Sequence, residues 1–175
     1  MKRISVLISV LIVMGVLLTA CGGGSSGADP VCAVKDLMQA VQDKKFDTIG
    51  TLVCAAQKDA VTKTFDPSAA LSGSGIDAKA MLDAMTITMS NVEYTQKSAT
   101  GDNAVVSLKG TMNIKIDRDK FKPILQQILK STGQDASDAL VNQVMDQALS
   151  SLEKGTDLAQ DMVVVKENGK WVVCK

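Results

Sequence analysis

Between Val106 and Ile116 the chain alternates without a break. Val106, Leu108, Gly110, Met112, Ile114 and Ile116 take one side, and Ser107, Lys109, Thr111, Asn113 and Lys115 take the other. Side chains of an extended strand point alternately to opposite faces, so this pattern gives one buried face and one wet face. A helix of 3.6 residues per turn would scatter the same residues around its axis. The segment therefore predicts an antiparallel sheet that something else in the chain covers on one side.

The rest of the sequence supplies both partners and cover. Thr86–Thr95 reads as a second strand whose alternation slips between Met89 and Val92, as a bulge would make it. Thr100-Gly101-Asp102-Asn103 reads as the turn joining the two strands. Met162–Lys166 and Lys170–Cys174 flank Asn168-Gly169, the preferred pair for a two-residue type I′ hairpin. That loop sets Glu167 opposite Lys170, Val165 opposite Val172 and Val163 opposite Cys174.

Four stretches have clear helical spacing, and a fifth is weaker. Val31–Gln42 carries Val31, Val34, Leu37, Met38 and Val41 on one face, with Asp29-Pro30 as its start signal. A short helix with Phe46, Ile49, Leu52 and Val53 follows, and Gln57–Thr64 extends the helical run. Asp77–Met85 is a weaker helix or turn. Further on, Asp119 is expected to cap a helix with Pro123 in its first turn and Gly133 at its end, and a longer helix runs from Ser137 to Lys154. These last two should pair as a helical hairpin, residues 119–155, inserted between strands. Asp66-Pro67-Ser68 and Ser72-Gly73-Ser74-Gly75 read as chain breaks, and the second lacks the Gly-Lys-Ser/Thr ending of a phosphate loop.

Composition narrows the function classes. The chain of 175 residues contains no His, which removes imidazole-based triads, His-ligated metals and imidazole pH switching. Its 19 Lys+Arg balance 19 Asp+Glu, so there is no basic surplus for nucleic acid. At 46% hydrophobic residues it is too apolar to be disordered. Seven methionines follow the N-terminal apolar run, among them Met81, Met85 and Met89 at four-residue spacing. Without His or a Met-x-Met cluster they fit an adaptable apolar interior better than a soft-metal site, and no metal or other cofactor is expected. Asp117-Arg118-Asp119 does not form an acid pair, because neighbouring side chains at a strand-to-helix turn diverge. The reading is of a protein that is not an enzyme.

The N-terminus is an address. Lys2 and Arg3 precede the apolar run Ile4–Leu18, which is short for a membrane-spanning helix and has the flanks of a secretory signal peptide. It ends in Leu18-Thr19-Ala20-Cys21, which resembles the bacterial lipobox. That resemblance implies cleavage after residue 20 and acylation of the Cys21 thiol. Residues 1–20 are then a lipoprotein signal peptide, 21–29 a lipid-anchored Gly/Ser tether, and 30–175 a single α+β domain. Lys2 and Arg3 leave with the signal, so acidic residues outnumber basic ones by two in the mature chain. Several acyl chains give stable anchoring to a membrane, and Gly22-Gly23-Gly24-Ser25-Ser26-Gly27 is a flexible spacer. The expected location is the cell envelope, on the outer face of the cytoplasmic membrane or, as Gly22 permits, at the outer membrane.

Acylation of Cys21 leaves Cys32, Cys54 and Cys174, an odd number in an oxidising compartment, so one disulfide and one free thiol are expected. Two pairings stand open. Cys32 and Cys54 would meet if residues 31–42 and 46–54 formed an antiparallel helical pair. Cys54 with Cys174 would close a far longer loop, giving about 4–5 kcal/mol in the chain-entropy model against roughly 3 for the shorter one.

Two N-terminal helices leading into an antiparallel sheet, with Asp36–Phe46 and Asp47 near the start and Val163–Cys174 as the last strand pair, resemble secreted members of the nuclear-transport-factor-two-like (cystatin-like) superfamily. The resemblance implies N-terminal helices packed on a curved, cone-like antiparallel sheet, with the helical hairpin as an addition. It also implies the Cys54–Cys174 pairing. Enzymes of that superfamily use Asp, His or Tyr inside the cone, whereas this chain has no His and only Tyr94. A cone of this kind can hold a pocket, for which Met89, Val106, Leu108, Met112 and Trp171 are the candidate walls. The functional expectation is a membrane-anchored, non-catalytic domain that binds a small ligand or an envelope protein. The alternative is a structural or assembly lipoprotein acting through the helical hairpin.

Overall fold

A computed structural model describes residues 29–66, 76–152 and 154–174. The signal peptide, the lipobox, the tether up to residue 28 and the Ser72–Gly75 break lie outside the described residues. In chain order the elements are α1 (Pro30–Gln42), α2 (Phe46–Ile49), α3 (Ala55–Thr64), α4 (Ala78–Asp83), β1 (Met85–Thr100), β2 (Asn103–Ile116), α5 (Arg118–Ser131), α6 (Asp138–Leu152), β3 (Thr156–Glu167) and β4 (Lys170–Val173). The four strands form one antiparallel sheet in the order β1-β2-β3-β4, and the α5/α6 hairpin is inserted between β2 and β3. The fold is α+β, with the N-terminal helices packed on a curled sheet.

α1 starts and stops for identifiable reasons. The Asp29 carboxylate accepts the Cys32 amide at 2.9 Å and Pro30 opens the first turn. At the other end the Lys45 amide donates to the Ala40 carbonyl and the Lys44 amide to the Val41 carbonyl, a Schellman closure. Lys44 holds the left-handed position of that motif, with φ of 57°, where glycine is usual. Its side chain supplies the compensation. The Lys44 ammonium donates to the carbonyls of Leu82 and Met85, both at 2.8 Å, and so ties the end of α1 to the end of α4 and the start of β1.

The buried stripe of α1, Ala33, Val34, Leu37 and Ala40, packs with Val106, Leu108, Met162, Val164 and Val173 from three strands. The partly buried Val92 and Tyr94 of β1 join this cluster. One helix about 10 Å across reaches four strands, each about 4.8 Å from the next, only because the sheet curls round it. A second cluster, Leu125, Leu129, Val141, Met145 and Leu149, holds α5 against α6, with Ile116 and Phe121 beside it. The hairpin thus has an apolar interior of its own.

The strand registers follow the turn chemistry. Thr100 pairs with Asn103 around Gly101, which has φ of 58°, and Glu167 pairs with Lys170 around Asn168 and Gly169, with φ of 50° and 81°. Val165 faces Val172, as the loop length requires. The slip expected after Met89 is a bulge: the register jumps between Ser90 and Glu93.

Three local expectations are corrected. First, residues 46–54 are not one helix. α2 ends at Ile49, and Val53 forms a parallel bridge with Val173, the Cys54 amide donating to the Val173 carbonyl at 2.8 Å. An extended Leu52–Cys54 segment gives the β4 edge partners that a helix would have withheld. Second, the cap of α5 is Asp117 and not Asp119. The Asp117 carboxylate accepts the amides of Asp119 and Lys120, and Pro123 falls inside the helix beyond its first turn. Third, the expected leftover thiol is not found among the described residues. Cys54 pairs with Cys174 (Cα–Cα 5.0 Å), and Cys32 is not free.

The Cys54–Cys174 bond spans 120 residues and locks the β4 edge, so Cys54→Ser with Cys174→Ser should cost about 4–5 kcal/mol by loop closure. Urea midpoints of the double variant against the oxidised protein measure this. The Lys120 amide is the main cause holding the Asp117 carboxyl below its ordinary 3.8. A depressed carboxyl stabilises the fold above 3.8, and the contribution disappears as pH falls through the lower folded value. Asp117→Ala should therefore lower the melting temperature at pH 7 and flatten its fall on acidification, while Asp119→Ala should do neither.

Candidate functional site

The α1 face beside its buried stripe carries Lys35, Met38, Gln39 and Gln42, at helical spacings of three and four. These residues form one wall of a cleft of about 390 Å³, and Met89, Val92 and Tyr94 of β1 form the other. Asp36 also borders it. The size lies at the lower end of the range for small-molecule sites, about 300–1,000 Å³.

The bulge makes the β1 wall. Met89 and Val92 are three residues apart and in a regular strand would face opposite ways. Ser90 pairs with Thr111 and Glu93 with Lys109, so Asn91 and Val92 together oppose the single residue Gly110. Asn91 takes the extra step, with φ of 53°. Val92 is thereby returned to the side of Met89 and Tyr94. Gly110 is required where the bulge crosses it: its own φ is 155°, and a Cβ there would stand 3.1 Å from the Ser90 carbonyl oxygen and from the Val92 Cα.

The electrostatics of the cleft are simple. The Lys35 ammonium lies 5.6 Å from the centre of the Tyr94 ring, within cation–π range. Burial pushes the Tyr94 phenol above its ordinary value, so it stays protonated at neutral pH. The Gln39 amide donates to Asp43 at 2.8 Å. Asp43 is held below the usual carboxylate range first by Lys45 and then by Gln39. Asp83, Asp117, Asp135 and Asp161 also shift downward, each through hydrogen bonds to its ionised form. No cluster of His, Cys, Asp and Glu among the described residues has the arrangement of a metal site, and no described helix is long and apolar enough to cross a membrane.

The five pocket candidates do not line one cleft, although Met89 and Met112 are cross-strand partners. Met89 lines the α1–β1 cleft. Trp171 lines a smaller recess of about 130 Å³ on the other side of α1, with Ala33, Thr51, Leu52, Lys170 and Val172. Asp36 borders both. Val106 and Leu108 are fully buried in the main core, behind the clefts, and Met112 lines neither of the two. Lys35, Gln39, Gln42 and Tyr94 are the cleft residues that strand periodicity does not reveal. The signal for the first three was the polar flank of α1 at helical spacing. Tyr94 is the only tyrosine, placed just past the slipped alternation.

No protein-family model matches the chain, and no curated protein matches it at a significant level.

The separation of core from cleft is measurable. Leu108→Ala, at a site with no exposure, should cost about 2–5 kcal/mol in urea unfolding. Met89→Ala, at a partly exposed wall, should cost less than half as much as Leu108→Ala in the same experiment.

Proposed function

We propose that this protein is a lipid-anchored, extracytoplasmic binding domain with no catalytic role, and that the cleft between α1 and β1 holds its ligand. The N-terminal sequence carries the anchoring part of this reading. A basic start, an apolar run and Leu18-Thr19-Ala20-Cys21 are what a lipoprotein peptidase and acyltransferase require, and a Gly/Ser tether follows at once. The Cys54–Cys174 disulfide supports an oxidising compartment. The curled sheet around α1 supports the likeness to nuclear-transport-factor-two-like domains.

The binding part rests on the cleft. Its floor of two thioethers, a valine and an aromatic ring adapts to an apolar body, and its rim of an ammonium and two amides orients polar groups. General acid–base chemistry needs two proton-transferring groups converging on one atom at matched pKa. The cleft offers a protonated phenol, a lysine over its ring and the Asp36 carboxylate with one oxygen buried, a composition suited to holding a molecule.

Intact-mass measurement of protein extracted from its own envelope tests the anchor. The expected product begins at Cys21 and carries the added mass of a diacylglyceryl group. A product that retains Met1, or begins at an unmodified Cys21, overturns the proposal.

A further inference from the structure

Resting on that reading of the cleft, we propose that its ligand is a small amphipathic anion: an unbranched or ring-bearing apolar body ending in a carboxylate. The body lies on Met38, Met89, Val92 and Tyr94, and the carboxylate meets Lys35.

The argument starts from which charge the cleft offers. Lys35 is partly exposed and stands at the rim, with its ammonium over the Tyr94 face. Asp36 also borders the cleft, partly exposed and with one carboxylate oxygen buried. Lys35 is the one cation among the residues that line the cleft. An ammonium with three donors over a ring uses the π-face on one side only, and it keeps donors for a carboxylate on the other. Gln42 adds an amide at the same wall.

The apolar floor is built by the bulge. Only the extra residue at Asn91 sets Met89, Val92 and Tyr94 on one side of β1, and only the missing Cβ of Gly110 lets Val92 sit there. Bulges recur where a strand re-aims a side chain toward a site. The two methionines, one from each wall, have unbranched polarisable side chains that mould to an aliphatic chain or a ring edge.

The test uses octanoate and the uncharged 1-octanol as probes, with the full-length chain carrying 13C-labelled methionine methyl groups. Octanoate should shift the Met38 and Met89 resonances saturably, and bind about tenfold more tightly than octanol, the value of one charge-assisted contact. Lys35→Gln should bring octanoate down to the octanol level, and Lys35→Arg should restore it. Equal affinity of the two probes, or octanoate binding untouched by Lys35→Gln, overturns the anion assignment while leaving the cleft as the site. If neither probe moves Met38 or Met89 saturably, the cleft itself is wrong and both readings fall. Gly110→Ala separates the bulge from the charge: it should weaken octanoate and octanol alike. Unchanged binding in that variant, with the fold intact by circular dichroism, removes the bulge from the argument.

Discussion

The burial of one helix by four strands organises this molecule. A four-stranded meander has too little face to bury α1 if it lies flat, because the outer strands are out of a helix's reach. Curling brings Val106 and Leu108 of β2, Met162 and Val164 of β3 and Val173 of β4 onto the same stripe of α1. Each such side chain contributes about 1.5–3 kcal/mol when removed from water. The curl is therefore stabilised by the helix, and the helix by the curl. The order in sequence assists: α1 comes first, and the strands that wrap it follow in spatial order.

A curled sheet still has two edges, and they are protected in different ways. At β4 the short Leu52–Cys54 segment adds a parallel bridge, and the disulfide to Cys174 fixes it there. This is the one parallel pairing in an otherwise antiparallel arrangement of described strands. At β1 the strand is interrupted twice, between Ser90 and Glu93 and between Gln96 and Ser98. The second interruption leaves Lys97 paired with Asp161 of β3 across the outer face, at 2.7 Å. Bulges and an edge lysine are common means of discouraging another chain from adding a strand.

What could be read in the sequence was periodic or stereochemical. The β2 strand, the Asn168-Gly169 turn, the Asp29-Pro30 start of α1 and the α5/α6 hairpin are all local statements, and the chain obeys them, except that Ser107 on the expected wet face of β2 is buried. The failures are of another kind. Leu52 and Val53 have helical spacing to Ile49, yet the open edge of β4, more than 100 residues away, takes them as a strand. Asp117 and Asp119 are equivalent as caps until the turn leaving β2 is fixed in space. Lys44 gives no sign in the sequence that it will stand in a left-handed position, since the carbonyls that compensate it belong to Leu82 and Met85. The same limit applies to the pocket candidates, which are divided between core and clefts. Period two assigns Val106 and Leu108 to the inner face, but it does not distinguish an inner residue under the centre of α1 from one beside its edge.

The cleft sits where the two kinds of information meet. A regular β1 would have continued the core pattern to the edge of the sheet, with Asn91 turned inward and Val92 outward. One added residue reverses this and opens a wall beside α1 instead of closing the packing against it. The insertion is tolerable only opposite a residue without a side chain, and β2 offers Gly110 in the middle of an otherwise β-favouring run, where glycine weakens a strand. A glycine that costs the strand stability, a bulge that costs it ladder bonds and a flank of α1 left polar all converge on the same few cubic nanometre fractions of space. Together the three shape the cleft beside α1.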